Sequence, residues 1–150
     1  MCLMMEAASV SCFAANADKS GGTVVAKGAQ FVIEVTPETT AKLLTESKIQ
    51  KYRVSVVSQS ARHTTQRSKQ TIATVDADLT QPENWRVRDY DGDGLEDYAY
   101  LRGVDPRGCH TWHVATWRAE SSRFVTSPKS HFAEDKNGKA LKSCVELALQ

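Results

Sequence analysis

The stretch DYDGDGLED, Asp89 to Asp97, sets five carboxylates and two glycines within nine residues. Carboxylates this close repel one another, so a compact turn here is costly unless a cation neutralises them. Acidic residues stand at positions 1, 3, 5 and 9 of the stretch (Asp89, Asp91, Asp93, Asp97), with Gly94 at position 6. That is the D-x-D-x-D-G-x-x-D spacing of a calcium loop, in which alternate side chains of a wrapped backbone converge on one point. Ca²⁺ takes roughly six to eight oxygens at about 2.3–2.6 Å. Asp89, Asp91 and Asp93, the carbonyl of Leu95 and a direct or water-bridged Asp97 supply most of such a shell. Gly94 permits the positive φ that lets the chain double back. Glu96, the fifth acid, is expected to point away from the ion. The alternative is an ion-free pair of Asx turns, since Asp and Gly are ordinary turn formers.

Position 12 of a helix-loop-helix calcium site is a bidentate Glu, and here it is Tyr100. The flanks also exclude helices. WRVRDY before the loop and DYAYLRG after it alternate with period two and are rich in aromatic and β-branched residues, so the loop is expected to join two strands.

The same periodicity recurs along the chain. FVIEV (31–35), KYRVSVVS (51–58), QTIATVDA (70–77), CHTWHVATWR (109–118), SRFV (122–125) and KSCVELAL (142–149) read as strands. Thr36-Pro37-Glu38 reads as a helix start, Thr36 as N-cap and Pro37 in the first turn, with Ala41, Leu43, Leu44 and Ile49 as the apolar stripe of one short N-terminal helix. Residues 18–29 read as a polar lead-in and 60–69 as a polar connection carrying Arg62, His63, Arg67 and Lys69. Turn residues place reversals at Asp105–Gly108 and Glu134–Gly138. The fold class expected is mainly β, with antiparallel sheets in a β-propeller-like or sandwich arrangement and that one short helix. No internal repeat is visible in the sequence.

A chain of 150 residues, 41% hydrophobic and 25% charged, suits one globular domain with a modest core. Its formal net charge of +1 argues against a nucleic-acid groove or a polybasic membrane surface, and no run of residues is long and apolar enough to predict a membrane span. Residues 1–17 end in Ala15-Asn16-Ala17, the A-x-A pattern of a signal-peptidase site, which leaves residues 18–150 as the single β domain. The alternatives are an acylated Cys12 and a short buried N-terminal helix. With Cys2 and Cys12 in that leader, Cys109 and Cys144 form an even pair, and an exported chain would join them. Such a bond closes a loop of roughly 35 residues and contributes about 3–4 kcal/mol on the chain-entropy model. Two unrelated buried thiols in a cytosolic protein are the alternative.

Other chemistry is weakly represented. His110 and His113 lie beside Cys109, but on a strand the two imidazoles point to opposite faces, which disfavours zinc. There is no G-x-S-x-G, P-loop or G-x-G-x-x-G motif. Trp85, Trp112 and Trp117 are expected to fill the core of a β domain of this size.

The order of the Gln70/Ile72 strand, the DYDGDGLEDYAYL loop, a Trp-containing strand, the Arg123-Phe124 step and the Lys139–Ser143 tail resembles small exported bacterial proteins with a single FG-GAP-type calcium loop. Among these are β-propeller-like periplasmic lysozyme inhibitors that serve as immunity proteins of type IV secretion systems. The similarity covers roughly residues 50–145, and the calcium loop is its specific part. It implies Ca²⁺ on Asp89, Asp91, Asp93, the Leu95 carbonyl and Asp97. It also implies a periplasmic or secreted protein, not an enzyme, that binds and inhibits a lysozyme-like peptidoglycan hydrolase, and it identifies no partner-contacting residue. The alternatives are an extracellular adhesion or carbohydrate-binding module stabilised by calcium, and a hydrolase that uses calcium to position substrate.

Overall fold

The computed structural model describes residues 22–38, 49–58, 68–74 and 76–139, with the backbone alone over 127–131. Among the described residues eight strands run in chain order: β1 (Thr23–Lys27), β2 (Phe31–Glu38), β3 (Gln50–Ser58), β4 (Ser68–Thr74), β5 (Trp85–Arg88), β6 (Asp97–Val104), β7 (His110–Arg118) and β8 (Arg123–Glu134). They make two four-stranded antiparallel sheets, β1-β2-β3-β4 and β5-β6-β7-β8, each connecting neighbour to neighbour. Over the described residues the chain therefore repeats one up-and-down plan that its sequence does not repeat.

Period-two burial explains the first sheet. Phe31, Ile33 and Val35 of β2, Tyr52, Val54 and Val56 of β3 and Ile72 of β4 all turn to one face. They meet Trp85, Tyr98, Tyr100 and Ala115 of the second sheet in one apolar cluster. Phe31 packs edge-on against Phe124 of β8 at 5.0 Å between ring centres, and the Tyr98 hydroxyl donates to Gln70 Oε1 at 2.7 Å, joining β6 to β4. Burial pushes the Tyr98 phenol well above its ordinary range, so it acts as a donor at any physiological pH. Trp85 is fixed by its indole N–H, which donates to the Leu79 carbonyl at 2.8 Å.

Residues 97–101 of β6 are buried on both faces. Tyr98 and Tyr100 face the first sheet, while Ala99 and Leu101 pack with Trp112 and Val114 on the other side, where the Arg86 guanidinium lies 4.1 Å from the Trp112 ring centre. Trp85 and Trp112 are thus core residues as expected, and Trp117 is half-buried against Phe124.

Three sequence expectations need correction. The helix start at Thr36-Pro37-Glu38 is not formed: these residues finish β2 and pair with Arg53, Tyr52 and Lys51 of β3. Thr23, the first residue of β1, lies opposite Val35, two residues before Pro37. The rest of that expected helix, 39–48, lies outside the described residues, and the helical structure among those described is a single 3₁₀ turn at Pro82–Asn84. Second, the lead-in contains β1, which was missed because it buries one side chain, Val25, and so carries little alternation. Third, β8 extends far beyond 122–125. Its pairing with β7 shifts between His113 and Ala115, which face His131 and Thr126, so Pro128 sits inside the irregularity and interrupts no regular ladder. The expected leader 1–17, the 60–67 part of the connection and the closing strand 142–149 lie outside the described residues.

Both expected reversals are present and share one geometry. The Gly108 N–H donates to the Asp105 carbonyl and the Gly138 N–H to the Asp135 carbonyl, each at 2.9 Å, with φ of 82° and 79° at the two glycines. Asp105 Oδ1 accepts the N–H groups of Arg107 and Cys109, as Asp135 Oδ1 accepts those of Asn137 and Lys139. These bonds hold both carboxyls below the usual carboxylate range.

Candidate metal centre

The acidic loop hangs between β5 and β6, and its neck is closed by the Arg88–Asp97 pair of that ladder. Its curvature is set from inside. Asp89 Oδ1 accepts the Gly92 N–H at 2.6 Å and Oδ2 the Gly94 N–H at 2.8 Å, so one carboxylate draws in two successive bends. Gly92 and Gly94 have φ of 81° and 84°, a region open to glycine and strained for other residues. Two Asx turns follow, Asp91 Oδ1 accepting from the Asp93 N–H at 3.3 Å and Asp93 Oδ1 from the Leu95 N–H at 2.8 Å.

Asp97 opens β6 and is fully buried. Its Oδ2 accepts the Tyr90 N–H and its Oδ1 the Trp117 N–H, both at 2.8 Å. One side chain thereby ties the start of the loop to the end of β7. Burial pushes the Asp97 carboxyl up, a tendency opposed by those two N–H donors and reinforced by the Asp91 charge. Asp89 moves the other way, held below the usual range first by the Gly94 N–H and then by that of Gly92.

Asp89, Asp91 and Asp97 each turn an oxygen to one place, with all three within 4.8 Å of one another. The three residues could hold a metal ion. Asp93 stands outside this group, with one oxygen engaged by Leu95.

Two further residues touch the loop without having been expected to. Arg118 Nη1 donates to Asp91 Oδ2 at 3.2 Å, setting one fixed positive charge beside the carboxylates. It lies at the end of β7, 27 residues away, and only the β6–β7 register brings it there. Glu96 points away, as expected, but its destination is a specific one: Oε2 accepts the Gln30 N–H at 3.0 Å in the β1–β2 turn. Cys109 is buried just before β7, and Cys144 lies outside the described residues. His113 lies against Tyr100, with ring centres 5.1 Å apart and the planes tilted by 39°.

Comparison with protein-family models, curated proteins and solved structures returns no match.

Proposed function

We propose that this chain is an exported β protein that binds one Ca²⁺ and acts by binding another macromolecule, a lysozyme-like peptidoglycan hydrolase that it inhibits. The observation that carries the calcium part is the convergence of Asp89, Asp91 and Asp97 on one point of a loop whose backbone already has the required bends. Asp93 and the Leu95 carbonyl complete the proposed shell. The ion's role is mechanical: it neutralises the loop and stiffens the β5–β6 end of the sheet, which pre-organises a recognition surface and lowers the entropy lost on binding. The hydrolase is taken from the resemblance set out above. Among the described residues no helix is long and apolar enough to cross a membrane.

Lysozyme clearing of a bacterial cell-wall suspension, followed by turbidity with and without the protein, tests this function. Slower clearing that depends on Ca²⁺ is expected. Glycan binding with no effect on clearing would instead make the chain a carbohydrate-binding module, and turnover of a glycoside would make it an enzyme.

The export part has its own test, because Cys109 and Cys144 are proposed to be joined. Intact-mass analysis of oxidised protein, alkylated before and after reduction, should add label to this pair only after reduction. Both thiols labelling in the native oxidised protein would end the disulfide proposal.

A further inference from the structure

We infer that Glu96 is a latch that carries cation occupancy of the acidic loop to the β1–β2 turn of the other sheet. This rests on the calcium reading and adds the element that responds to the ion.

The contact has two halves. From the loop, Glu96 Oε2 takes the Gln30 N–H at 3.0 Å across 66 residues of chain. From the turn, Gly28 makes room for it: a Cβ at position 28 would collide with Glu96 Oε2 and stand 2.9 Å from its Cδ and 3.1 Å from Val87 Cγ1. Gly28 is not among the glycines with positive φ, so what it offers here is room for the Glu96 carboxylate and not a special backbone conformation. Its own N–H donates to the Phe31 carbonyl at 2.9 Å, which closes the turn.

The loop's shape is what the ion would fix. Glu96 stands between Leu95 and Asp97, both proposed donors, so an ion held by the two neighbours sets the peptide planes on either side of Glu96 and aims its side chain at Gln30. Without the ion, repulsion among Asp89, Asp91, Asp93 and Asp97 loosens residues 91–96, and the Gln30 N–H loses its acceptor. Binding at the loop therefore orders a turn that contributes no ligand, through a contiguous pair of contacts that both ends bias.

Amide hydrogen exchange on the full-length protein, read residue by residue by NMR in EDTA and in saturating CaCl₂, decides the matter. In the parent, calcium should slow exchange at Gly92, Gly94 and Gln30 together, the last by roughly tenfold, the scale for a hydrogen bond to a charged acceptor. In Glu96→Ala and in Gly28→Ala the loop amides should still respond, while Gln30 exchanges at one rate with or without calcium. Should Gly28→Ala fail to fold, Glu96→Ala alone carries the test. Loop amides that respond in the parent while Gln30 does not would overturn the latch and leave the calcium reading standing. No calcium response at any of the three amides would overturn both.

Discussion

Asp97→Ala is expected to destabilise the metal-free protein by about 3–5 kcal/mol, because each orphaned buried N–H costs roughly 1–3 kcal/mol and this change orphans those of Tyr90 and Trp117. That is a large part of the roughly 5–15 kcal/mol by which small domains are stable. Water cannot readily restore the bonds, since the side chain has no exposed surface. Asp97→Asn should recover only part of the loss: its amide oxygen still accepts one bond, while its NH₂ faces the other donor. Urea unfolding of the three proteins in EDTA measures the effect. An alanine variant within about 0.5 kcal/mol of the parent, the range of ordinary surface substitutions, would mean that Asp97 is not the internal tie described here.

The second large effect is calcium itself. An ion that binds the folded chain and not the unfolded one raises stability by RT ln(1 + [L]/Kd), about 2.7 kcal/mol at a hundredfold excess over Kd. Melting in EDTA against millimolar Ca²⁺ should reveal that gain, with less from Mg²⁺, which holds a smaller octahedral shell and keeps its waters. Asp91→Ala removes one of the three converging carboxylates and should abolish most of the gain. Glu96→Ala should keep most of the gain, because its carboxylate serves Gln30 and not the ion, and should lower the melting temperature chiefly in Ca²⁺, where that contact is held.

The calcium gain also has a definite pH sense. Burial raises the Asp97 carboxyl in the metal-free fold, so its contribution there is fully favourable below the ordinary carboxylate range and is lost as pH rises through the raised value. A cation reverses this by favouring the ionised form. The calcium gain should therefore shrink on acidification as Asp97 takes up a proton, while Asp89, held low by the Gly94 and Gly92 N–H groups, stays ionised longer. A parent whose melting temperature ignores calcium after thorough removal of bound metal would refute the calcium reading altogether.

What could be read from the sequence alone is what short-range chemistry controls. Alternation of apolar side chains marked β2, β3, β4 and β7, because a strand half-buried against a core writes its period into every second residue. The acidic loop was legible for a similar reason: its spacing, its glycines and the outward turn of Glu96 all follow from a few consecutive backbone bends. Tertiary structure decided whatever depends on a distant neighbour. Thr36-Pro37 has good local credentials as a helix start, yet the ladder to β3 extends past it, and cross-strand pairing outweighs a capping preference worth about 1 kcal/mol. Asp97 differs from the other loop acids only in being fully buried, and its two N–H donors are brought to it by the β5–β6 neck and the end of β7. The Arg118 charge on Asp91 and the Glu96 carboxylate on Gln30 join residues 27 and 66 positions apart. No local pattern encodes such pairs, because they exist only once two sheets that repeat one connection plan have closed over a common core.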